Sequence, residues 1–116
     1  MIEVTYYRNI NRLVMVGHAG AGAVGEDIVC SAASMLAYTL AANVERLVEC
    51  GQAREPVISM KEGDTVITCN AVRRYRDVVT LVFDSVLMGL ELLAMKHPQN
   101  ISLKFDRGRH REPALK

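Results

Sequence analysis

The sequence predicts an α+β domain in which an antiparallel or mixed sheet packs with two helices, the elements running ββαββαβ along a single chain. Three observations carry this expectation. Short alternating runs rich in β-branched and aromatic residues come in pairs, each pair divided by a polar or glycine break. Two longer stretches instead repeat their apolar residues at steps of three and four. A last alternating run follows the second of these.

The first pair is IEVTYY (2–7) and RLVMVGH (12–18), parted by Arg8-Asn9-Ile10-Asn11, and it reads as a hairpin whose second strand delivers His18 at its end. From Ile28 the period changes. Val29, Ala33, Leu36, Leu40, Val44 and Leu47 mark a helix that runs to Cys50 and stops at Gly51. Glu26 and Asp27 suit its positive end, with Asp27 as the N-cap. PVISMK (56–61) and DTVITCN (64–70) flank Glu62-Gly63 as a second hairpin. The second helix spans about Tyr75 to Met95, carries Val79, Val82, Phe83, Val86, Leu90 and Leu93 on one stripe, and ends at His97-Pro98. Leu81, Met88, Leu92 and Met95 make another side of it apolar. A helix apolar nearly all round needs two partners, and a second copy of the chain is a candidate for one of them. ISLKF (101–105) closes the order as a short strand.

A chain of 116 residues fits one domain, taken as 1–105 with a basic tail at 106–116. Half of the residues are hydrophobic and 23% are charged, which excludes a disordered or fibrous chain. There is no run of 18 apolar residues, and MIEVTYYRN lacks the basic flank and apolar run of a signal peptide. A cytoplasmic location without a membrane partner is the expectation. Cys30, Cys50 and Cys69 are odd in number and widely spaced, with no CxxC, so neither a disulfide framework nor a zinc site is expected, and no cofactor or metal is called for. Charge is unevenly placed. Residues 1–103 carry 9 Lys and Arg against 11 Asp and Glu, whereas residues 104–116 carry 5 against 2. The tail KFDRGRHREPALK reads either as a solvated terminus or as a weak contact for RNA.

Residues 17–25 contain GAGAVG, a literal match to the dinucleotide fingerprint G-x-G-x-x-G. Three features oppose that reading. Glu26 and Asp27 occupy the helix start that a pyrophosphate would need. Glu45 and Glu49, the acids at about the required distance, fall inside the helix rather than at the tip of a strand. The preceding strands form a hairpin, and the βαβαβ repetition is missing.

Four of the eight glycines, Gly17, Gly20, Gly22 and Gly25, crowd between the strand end and the helix, a pliable segment. With Asp27 as cap, Cys30 becomes the third helical residue, where free amides and the macrodipole favour thiolate. A loop of 11 residues can bring His18 beside it as a general base. Backbone amides at the helix start, that of Cys30 among them, are candidates for holding an oxyanion. Ser34, one turn on, shares a helix face with Asp27 and Cys30. The bland readings stand beside these: a small buried cysteine, a histidine bonded to a loop carbonyl, an aspartate that only caps, and a serine bonded to its own helix.

The run Gly17-His18-Ala19, the glycine-rich loop, and Gly25-Glu26-Asp27-Ile28-Val29-Cys30-Ser31-Ala32 with Ser34 resemble the ribosomal-processing cysteine proteases, the Prp family. The likeness extends in outline over residues 2–105. It implies a cytoplasmic, usually homodimeric cysteine endopeptidase that trims a short N-terminal extension from a large-subunit ribosomal protein precursor. By the same resemblance His18 is the general base and Cys30 the nucleophile, with Asp27 and Ser34 at supporting positions. Two alternatives remain: a non-catalytic, ribosome-associated dimeric interaction module, and a cysteine-dependent acyl hydrolase of another substrate.

Overall fold

The structure, a computed structural model, describes residues 1–18 and 24–106. Its elements follow in the predicted order: β1 (Ile2–Tyr7), β2 (Arg12–Val16), α1 (Val24–Glu49), β3 (Ala53–Lys61), β4 (Asp64–Ala71), α2 (Arg76–Lys96) and β5 (Ile101–Asp106). Single 3-10 turns at Arg8–Ile10 and Arg73–Tyr75 fill two of the links. Asn11 reverses the first hairpin in a left-handed conformation, φ 51°. Gly63, φ 76°, does the same between β3 and β4.

The five strands form one sheet in the order β3-β4-β2-β1-β5. Both hairpins pair antiparallel, and β2 joins them by pairing antiparallel with β4. Only β5 breaks the pattern. It lies parallel to β1, with Ile2 opposite Ile101 and Tyr7 opposite Asp106, so the sheet is mixed. Their start is fixed by the Ile2 N–H, which donates to the carbonyl of Asn100 at 2.8 Å.

Alternate positions of the strands, among them Val4, Tyr6, Leu13 and Ile67, point to the face that the helices cover. α1 presents Val29, Ala33, Ala37, Leu40, Val44 and Leu47 to this core, and α2 presents Val79, Phe83, Val86, Leu87 and Leu90. The Tyr6 ring stacks on Phe83 with centroids 6.2 Å apart and meets Phe105 edge-on at 6.0 Å. The two helices approach closely where Gly89 lets in the Leu36 side chain; a Cβ there would stand 2.8 Å from Leu36 Cδ2. By length and composition both helices could cross a membrane, but each turns an apolar face onto the sheet.

Two expectations change. Val82 and Leu93, placed on the inner stripe of α2, are half-buried, and Leu87 takes a core position. α1 starts at Val24 rather than after Asp27, so Asp27 is not its N-cap and Gly25 lies in its first turn. Leu81, Met88, Leu92 and Met95 are exposed, the second apolar side read from the sequence.

Candidate functional site

The end of β2 sets the position of His18. Val16 pairs with Glu3 on one side and with Asp64 on the other. One residue later, the Gly17 N–H donates to the Gly63 carbonyl at 3.0 Å, tying the strand end to the β3–β4 turn. Gly17 adopts φ 100°, and a Cβ on it would lie 2.4 Å from the Met1 carbonyl oxygen. No other residue type fits there without moving backbone. His18 follows as an exposed side chain.

Cys30 comes from the other layer. It sits on α1, half-buried and packed against the core. Together with Gly17, His18 and Ser34 it lines a cleft of about 410 Å³, floored by Ile2 and Met15 and flanked by Tyr38 of α1. Three of the residues predicted to act together, His18, Cys30 and Ser34, thus share one cavity. Gly20 and Gly22 lie outside the described residues, as does the side chain of Asp27. A fourth wall, Met60 to Thr65, was not read from the sequence. The glycine turn within it was visible locally, but its place beside His18 follows from the β2–β4 pairing, which joins residues about fifty positions apart.

The early start of α1 changes the chemistry expected of Cys30. As the seventh helical residue it is past the first turn, where the macrodipole and free amides act. Its own amide belongs to the helical ladder and is not free to hold an oxyanion. Activation of the sulfur therefore calls for a base in the cleft, and His18 is the histidine that lines it.

A larger cavity, about 740 Å³, opens at the opposite end of the sheet between Arg8, Asn70, Arg76 and Asp84. Here the Tyr6 hydroxyl donates to Asp84 Oδ1 at 3.0 Å, and the Arg8 guanidinium forks onto both carboxylate oxygens at 3.0–3.3 Å. Burial, then the Asp84 charge and its hydrogen bond, hold the Tyr6 phenol well above the usual tyrosine range; Arg8 and Asn11 pull it back in part. The thiol in this cavity is Cys69, which burial pushes up to about 11. It is a poor nucleophile, with no histidine in the lining. The smaller cleft, by contrast, is lined by both a thiol and an imidazole. Among the described residues no three His, Cys, Asp or Glu side chains cluster as a metal centre.

Comparison with known proteins identifies the family and the fold. The family model for the cysteine protease Prp matches residues 1–102. A crystal structure of SMU.848 from Streptococcus mutans is similar at 26% identity and TM-score 0.69, covering 92% of this chain and 95% of that one. The ribosomal processing protease Prp from Staphylococcus aureus, solved with a covalently linked product peptide, is similar in fold at 24% identity and TM-score 0.65, covering 90% and 97%. The same protease with a substrate peptide gives 23% and 0.66, with the same coverage. Among curated sequences, none matches this chain.

Proposed function

The chain belongs to the cysteine protease Prp family, and from that premise we propose that it is a cytoplasmic endopeptidase that removes a short N-terminal extension from a ribosomal protein precursor, with His18 and Cys30 as its catalytic pair. The observation that carries this reading is the shared cleft. A thiol from the helical layer and an imidazole from a strand end, 12 positions apart in sequence, line the same cavity.

In the mechanism His18 takes the Cys30 proton and the sulfur attacks the scissile carbonyl. The imidazolium then protonates the departing amine, and water cleaves the thioester. Ser34, one helical turn from Cys30 and in the same cleft, supports the site from its α1 side. Asp27 is a second supporting position. The apolar stripe Leu81, Met88, Leu92 and Met95 supports a homodimer through α2, because four exposed large side chains on one helix face favour a partner surface. The basic tail supplies a weak contact with RNA.

The test is incubation of the purified protein with a ribosomal precursor that carries its extension. Clipping by the parent and not by Cys30→Ala or His18→Ala supports the protease reading. Equal clipping by both variants removes it and returns the cleft residues to a structural role.

A further inference from the structure

The β3–β4 turn contributes more than a wall to the cleft. A Cβ built on Gly63 would stand 2.7 Å from His18 Nε2, 3.0 Å from Cε1 and 3.4 Å from Cδ2. The tip of the imidazole therefore lies over the one backbone position in the turn that has no side chain. The same residue accepts the Gly17 N–H at 3.0 Å, one residue before the histidine. Its φ of 76° independently favours glycine. Turn and histidine are thus related twice: a main-chain hydrogen bond ties Gly17 to the turn, and the ring occupies the space that a side chain at 63 would take. The charged side chains of that turn, Lys61, Glu62 and Asp64, flank the contact and also line the cleft.

We propose that Gly63 is a positioning residue for the reaction: it seats the His18 imidazole over the turn and so sets the distance from the ring to Cys30. This rests on the catalytic reading of His18 and Cys30 given above. Restoring an ordinary contact of at least 3.4 Å against a methyl at 63 requires the ring or the turn to move by about 0.7 Å. Displacements of about 1 Å in a catalytic group cost on the order of 100-fold in rate.

Gly51 supplies the control. It also has a left-handed φ, 74°, but nothing lies within 4 Å of a Cβ placed there. Gly51→Ala therefore carries a similar backbone cost with no contact to the histidine. The experiment follows alkylation of Cys30 by iodoacetamide from about pH 5 to 10, by peptide mass spectrometry. It compares the parent, Gly63→Ala, Gly51→Ala and His18→Ala, with thermal melts to establish folding. Should Gly63→Ala fail to fold, Gly63→Asn carries the same Cβ on a residue that tolerates left-handed φ.

The expected result is a roughly 10- to 100-fold slower reaction at neutral pH in Gly63→Ala, its profile moved towards that of His18→Ala, while Gly51→Ala overlays the parent. A Gly63→Ala profile that overlays the parent while His18→Ala departs from it overturns the positioning role and leaves the dyad standing. A Gly51→Ala profile shifted as far as that of Gly63→Ala assigns the effect to backbone strain and also overturns it. A His18→Ala profile that overlays the parent shows that the dyad itself is wrong, and the positioning role goes with it.

Discussion

Removing the Asp84 carboxylate tests how the first strand is anchored to the second helix. The Tyr6 hydroxyl donates to Asp84 at 3.0 Å from a side chain with no exposed surface, so Asp84→Ala leaves a buried donor without its acceptor. That costs about 1–3 kcal/mol. The Arg8 pair is different. Its side chains are 48% and 36% exposed, so it adds at most ~1 kcal/mol. The expected loss for Asp84→Ala is therefore about 2–3 kcal/mol, close to 10 °C in Tm for a domain of this size. Arg8→Ala should cost less than ~1 kcal/mol, and Tyr6→Phe about 1 kcal/mol. Tyr6→Phe combined with Asp84→Ala should cost less than the two separately, because the second change then orphans nothing. Urea and thermal melts at pH 7, at one fixed protomer concentration, provide the comparison. An Asp84→Ala loss below about 0.5 kcal/mol, or an Arg8→Ala loss equal to it, would refute the assignment of the anchor to the hydroxyl–carboxylate bond.

Three further outcomes follow from the same structure. Because the Tyr6 phenol is held above its ordinary value, its contribution to stability is complete below about pH 10 and declines as pH rises beyond that; melts in the alkaline range should show this slope in the parent and lose it in Tyr6→Phe. Phe83 is fully buried and stacked on Tyr6, so Phe83→Ala should cost about 3–5 kcal/mol in urea unfolding. If the exposed stripe of α2 is the proposed dimer surface, Met88→Glu should lower the mass in sedimentation equilibrium while leaving far-UV circular dichroism unchanged; an unaltered mass would remove the stripe as that surface.

Most of the element order was legible because each element carries its own local period. Alternation in residues 2–7 and 64–70, and three-four spacing from Val29 to Leu47, need no knowledge of distant partners. The start of α1 departs from expectation for an equally local reason. Glycines at 20, 22 and 25 argue against helix, and Asp27 imitates a cap, yet the helix runs from Val24 through Gly25. Parallel pairing of β1 with β5 had no local signature, since either edge of the sheet would accept a last strand. At the cleft, residue chemistry and spacing suggest His18, Cys30 and Ser34 beside a bland reading of each, and the resemblance supplies their roles; all three line one cavity. The turn at 61–65 was visible as a turn and invisible as a neighbour of His18. Arg8, Tyr6 and Asp84, whose contacts span 76–78 positions, gave no sequence signal as a network.

The pairing of β1 with β5 gives the enzyme a schedule. During synthesis, Ile2 leaves the ribosome long before Asn100 and Ile101, the residues that clamp it. Until they emerge, the outer edge of β1 has no neighbour, and the Met1 carbonyl that crowds Gly17 is not fastened. A nascent polypeptide is therefore expected to carry His18 and Cys30 before the strand edge beside Gly17 is complete. Completion of that edge of the sheet therefore waits until the fifth strand has been made.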